Sequence, residues 1–176
     1  MIYITSESEL DKIMRDLIIE QSQLPGKFVR AQHSLYGTTL NKGQGDVFTS
    51  LKHEDNLILF EVHSTGSIES ISEKQSDGLK HFSYFEVQLI IYGDTSTILA
   101  NKLCARLRSE SVRDKALGKG VQIVDVSSQI ELKEFKNGAV WIRNDIKLNI
   151  ACTILITELI NSNEADVISE IKIQNY

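Results

Sequence analysis

The apolar pattern predicts an α+β fold: a mainly antiparallel sheet of about four to five strands, with two amphipathic helices packed on one face. Three observations predict it. Apolar residues recur at three- and four-residue spacing in two segments, one starting near Glu9 and one near Leu99. They alternate elsewhere, most strictly in "IKLNIACTILIT", where Ile146, Leu148, Ile150, Cys152, Ile154 and Ile156 share one face. A chain of 176 residues, 41% hydrophobic and 24% charged, suits one folded domain over residues 1–176 rather than a disordered polymer.

The first helix opens on Ser6, with Glu9 three residues later at capping-box spacing. Leu10, Ile13, Met14, Leu17 and Ile18 form its apolar stripe, and Asp11, Lys12, Arg15 and Asp16 its water-facing side. It stops before Pro25 and Gly26. Residues 32–48 are polar and dotted with glycine, and read as an irregular or exposed arm. A strand from Leu57 to His63 follows, then a polar stretch. "FSYFEVQLIIYG" comes next, with Phe85, Val87, Leu89 and Ile91 on one face. These two strands are expected to pair antiparallel around a long hairpin tip at residues 64–80.

In the stretch "YGDTSTILANKLCARLRSESVRD", Asp94 and Thr95 are good N-cap types for a second helix. Leu99, Ala100, Leu103, Cys104 and Leu107 stack along it. "GVQIVDV" is a short strand, the alternating segment is the longest one, and an extended strand is expected around residues 164–176. The open face of such a sheet has few apolar residues to spare. It would meet a lumen, solvent or a partner.

The net charge of −5 argues against a general nucleic-acid binder, whose affinity comes from clustered Lys and Arg that release counterions. Cys104 and Cys152 each sit in an apolar rhythm and read as buried, reduced thiols, which suits an intracellular compartment. No signal-peptide pattern and no membrane-length apolar run is present in the sequence.

Chemistry-bearing motifs are sparse. The four histidines lack HxH or HExxH spacing and neither cysteine lies in CxxC, so no metal site is expected. "NKGQGD" and "LGKGVQ" lack phosphate-loop spacing and read as turns, and there is no GxSxG elbow. No cofactor and no enzymatic activity are expected. The basic end of the second helix stays open: Lys102, Arg106, Arg108 and Arg113 are favoured there by the macrodipole at about 0.3–1 kcal/mol each. The same cations would also serve a subunit contact, with direct DNA contact the least favoured use. An anion site at residues 93–96, in a small enzyme or ligand-binding domain, is the rival reading of this stretch.

The order of these segments resembles the neck-terminator or tail-completion family of long-tailed bacteriophages. The matching residues are a strand ending in "VQLIIYG", a helix reading "ANKLCARLRSESVRD", then "GVQIVDVSS", "VWIRNDIKLNIACTILI" and the closing "ADVISEIKI". Arg143 fits an arginine of the family pattern, while Trp141 and Ile142 stand where that pattern has Glu-Pro. The likeness runs from about Phe85 to Ile173.

The resemblance implies a tail-terminator-like fold and a non-enzymatic virion protein. Such a protein is assembled in the host cytoplasm into a hexameric ring that caps the head-proximal end of the tail tube. The implied partners are further copies of itself, the tail tube protein and the neck, head-completion or connector proteins, with the tail sheath an additional candidate. DNA would pass through the lumen without specific binding, and no membrane is involved. The expected interaction residues are Lys102, Arg106, Arg113, Arg143 and Ile171. A non-viral scaffold module is a further alternative.

Overall fold

The computed structural model describes residues 3–31, 51–52, 54–65, 72–75, 78–136 and 138–156. The whole of the expected arm at 32–48 and of the C-terminal strand at 164–176, with Ile171, lies outside the described residues. Along the chain run α1 (Glu7–Ser22), a 3-10 turn (Gly26–Phe28), β1 (Val29–Ala31), β2 (Leu57–Ser64), β3 (Ser72–Gln75) and β4 (Gly78–Tyr92). Then come α2 (Ser96–Arg108), α3 (Glu110–Leu117), β5 (Val121–Val126), β6 (Ile130–Lys136) and β7 (Ala139–Ile156).

The strands form one mixed sheet in the order β1-β2-β4-β7-β5, with β3 also on β4 and β6 also on β7. Only the β1–β2 pairing among the strands is parallel, so the sheet is mainly antiparallel as expected. Its spine is β4 against β7, paired from Leu79–Ile156 to Tyr92–Arg143. The outer edge of β7 is lined end to end: β6 pairs with Ala139–Asp145, β5 with Leu148–Cys152, and Ile4 bridges Ile154. That continuous lining explains how an 18-residue strand has its backbone satisfied on both sides.

The strand and helix counts differ from those expected. Among the described residues the sheet has seven strands rather than about four to five, because β1, β3 and β6 were not anticipated. Within the stretch expected as a hairpin tip at 64–80, residues 66–71 and 76–77 lie outside the described residues, and β3 pairs with the first residues of β4, with Gln75 opposite Gly78. Among the described residues there are three helices rather than two, because the second breaks at Ser109, whose backbone is extended (φ −68°, ψ 143°). Ser109 donates both its N–H (3.0 Å) and its hydroxyl (2.6 Å) to the carbonyl of Arg106, ending α2 and re-aiming the chain. The turn lets Val112 and Ala116 of α3 join the core.

All three helices cover the same sheet face. Leu10, Met14, Leu17 and Ile18 of α1 and Ala100, Leu103, Cys104 and Leu107 of α2 pack on Phe85, Val87, Leu89 and Ile91 of β4 and Ile146, Leu148 and Ile150 of β7. At roughly 1.5–3 kcal/mol per fully buried large apolar side chain, this cluster dominates the stability. The N-terminus of α1 follows its sequence with a one-residue shift. Ser6 Oγ accepts from the Glu9 N–H, but the Glu9 carboxylate accepts from Thr5, through both N–H and hydroxyl, at 2.8 Å. Those bonds hold the Glu9 carboxyl below its usual range. Arg15, expected on the wet side, instead donates to the carbonyls of Gly26 (2.8 Å) and Val29 (3.2 Å) and fixes the turn into β1.

The opposite face is open along its middle, where Glu86 pairs with Lys147. At one end it carries a second buried apolar cluster of Leu57, Leu59, Ile90, Tyr92 and Trp141. That cluster was not anticipated on a face expected to be apolar-poor.

Candidate interaction surface

The turn from Gly93 to Ser96 is a junction of this chain's own groups. Gly93 has φ +128°, and a Cβ there would fall 2.5 Å from Asn56 Oδ1 and 2.6 Å from the Asp55 carbonyl. Only glycine fits. Asn56 donates to Thr95 Oγ1 at 2.7 Å. Ser96 is fully buried, and its hydroxyl accepts from Asn144 Nδ2 at 3.0 Å. Thr97 donates to the Glu131 carboxylate at 2.7 Å, which places a negative group beside the first turn of α2. An anion arriving there would meet occupied hydroxyls and a carboxylate.

The flagged cations separate. Lys102 is exposed on α2. Arg106 is half-buried and donates through Nη1 to the Gln21 carbonyl in the last turn of α1, which has no basic residue of its own. Arg108 donates to the Val126 carbonyl through Nε (3.3 Å) and Nη2 (2.9 Å). Arg113 is half-buried on α3, and its Nε has no hydrogen-bond partner among the described residues.

Arg143 lies apart from these, on the open face of β7. It forms a bidentate pair with Asp145, 2.7 Å at both nitrogens, and a third contact to Glu134 at 3.3 Å. The Tyr92 hydroxyl donates to the same Glu134 carboxylate at 2.7 Å. The Asp145 bonds push the Arg143 guanidinium further into its charged form, and burial plus the Glu134 bond push the Tyr92 phenol up. The four side chains join β4, β6 and β7 across the sheet.

Beyond this cluster the β6–β7 hairpin is apolar on both faces and uncovered. Ile130 (60% exposed) and Leu132 (43%) flank Asp145 and Arg143 on the open face, while Phe135 (71%) faces Val140 (59%) on the helix-bearing face, past the end of the helix layer. Isolated surface apolar residues are ordinary, but four on one hairpin make it the candidate contact surface. This hairpin was not anticipated, although its signal is present in the sequence. "IELKEFK" runs into Asn137-Gly138, and Gly138 has φ +79°, as a two-residue hairpin turn requires.

Both cysteines are free and buried. Among the described residues no cluster of three His, Cys, Asp or Glu side chains is placed to hold a metal ion. No described helix is long and apolar enough to cross a membrane. Comparison with protein-family models finds no match, and no curated protein matches the chain.

Proposed function

We propose that the chain is a ring-forming structural protein of the head–tail junction of a long-tailed bacteriophage, a tail terminator. In this reading it caps the head-proximal end of the tail tube and joins it to the neck proteins. The virion setting rests on the order of segments from Phe85 to Ile173.

The observation that carries the assembly part is the β6–β7 hairpin. It presents Ile130, Leu132, Phe135 and Val140 at one edge of the sheet, while β1 closes the other edge. Two unlike edges on one subunit suit a heterologous, head-to-tail contact, which closes into a ring when the rotation per subunit divides a full turn. The open sheet face, polar along its middle, suits a wet surface. The rival anion-site reading has less support, since Asn56, Asn144 and Glu131 already engage the hydroxyls of Thr95, Ser96 and Thr97.

The test is to add the purified protein to uncapped tail tubes and image their ends by electron microscopy. Rings at one end only, with tubes that no longer elongate, are expected. Tubes that keep growing with bare ends would count against the reading.

A further inference from the structure

β6 is paired along one edge only among the described residues, to β7, and its apolar residues are exposed on both faces, Ile130 and Leu132 on one and Phe135 on the other. A strand edge that no described strand occupies, flanked by exposed apolar side chains, is a template for strand addition. We infer that the strand added is the C-terminal segment of a second copy of this chain, residues 167–173, laid antiparallel on β6. The inference rests on the self-assembly part of the function proposed above and specifies its contact.

The sequences match in that register. Setting Ile173 opposite Ile130 places Lys172 opposite Glu131, Ile171 opposite Leu132, Glu170 opposite Lys133 and Ile168 opposite Phe135. Every apolar residue of β6 meets an isoleucine, and two opposite-charge pairs form. Each such cross-strand pair contributes about 0.2–1 kcal/mol. Pairing β6 with another copy of β6 is poorer: centred on Lys133, it sets Lys133 against Lys133 and Phe135 against Glu131.

Reach decides which copy supplies the strand. β7 separates Ala139, beside the end of β6, from Ile156, where the tail begins. At about 3.3 Å per residue that is about 56 Å. In the antiparallel register the tail meets the Lys136 end of β6 first. The link from Ile156 to Val167, fully extended, covers at most about 40 Å. A chain's own tail therefore falls short, and a neighbour in a head-to-tail ring supplies the strand. Ile171 of the incoming copy would then lie beside Leu132, one strand away from Arg143.

The experiment co-expresses a tagged chain carrying Leu132→Cys with an untagged chain carrying Ile171→Cys, followed by mild oxidation. The native thiols are buried and stay silent. A tagged–untagged disulfide dimer is expected, formed several-fold more than with Lys172→Cys, which projects to the other face. A chain ending at Ile156 is expected to keep its circular dichroism spectrum and lose its oligomeric mass.

An oligomeric full-length protein that gives no such disulfide, or a truncated chain that keeps the oligomer mass, would overturn the inference and leave the ring reading standing. A disulfide within one doubly substituted chain would overturn it in the same way. A full-length protein that is monomeric throughout would overturn both.

Discussion

The guanidinium of Arg106 on α2 donates to the Gln21 carbonyl at the end of α1. One helix thus supplies the cation that the other's C-terminus lacks. Replacing Arg106 with Ala leaves that carbonyl without its charged donor, and a hydrogen bond to a charged group contributes about 1.5–3 kcal/mol. Arg106→Ala is expected to lower the unfolding free energy measured by urea titration by an amount in that range. Lys102→Ala, on the exposed side of the same helix, should change it by less than about 0.5 kcal/mol. A pair of equal, near-zero shifts would contradict the capping role. It follows that a ring-closure defect in Arg106→Glu must be read beside its stability, whereas Lys102 gives the cleaner test of a subunit contact.

Gly93→Ala is expected to be among the most damaging single substitutions. The positive φ costs a side chain about 1–3 kcal/mol, and the added Cβ also overlaps Asn56 and the Asp55 carbonyl. Thermal denaturation checks this directly. Gly138→Ala, where nothing lies within 4 Å, isolates the backbone part and should cost less.

Arg143 holds two carboxylates, Asp145 and Glu134, in a partly buried site. Arg143→Met keeps the bulk but leaves both carboxylates unneutralised, and about 1–3 kcal/mol of stability should be lost. Asp145→Asn and Arg143→Met together should cost less than the sum of the two alone. A double-mutant cycle with no coupling would show that the pair contributes nothing.

Burial raises the Cys152 thiol to about 11 from an ordinary 9.0. A folded-state pKa above the unfolded one means the native chain keeps its proton while the unfolded chain loses it. Stability is therefore intact below pH 9 and falls as pH rises toward 11, on the order of 2 kcal/mol in all. Urea titrations at pH 8 and pH 10.5 should show this decline, and Cys152→Ala, though less stable at pH 8, should show a shallower one. An equally steep decline in both would contradict the assignment.

Much of the helix layer and the spine was legible in the sequence because single-faced patterns leave little freedom. The stripes of α1 and α2 bury as their spacing requires, and the alternation from Ile146 to Ile154 is the core face of β7. The break at Ser109 was hidden because "RSESVRD" is helix-compatible on both sides. What ends α2 is a pair of hydrogen bonds to one carbonyl, and no periodicity encodes that. β6 was missed because Glu131, Lys133 and Glu134 dilute its apolar residues, as expected of a strand that meets water on both faces. Arg106 and Arg143 were picked out as cations, but their partners, a carbonyl 85 residues away and a carboxylate across the sheet, are properties of the fold.

The central claim is that this subunit builds a closed ring through unlike sheet edges. The most direct test is the native mass of the purified full-length protein across a dilution series. A single closed species, a hexamer if the family resemblance holds, is predicted to persist on dilution and to vanish in Leu132→Lys with Phe135→Lys. A monomer at every concentration, both alone and with tail tubes present, would contradict it.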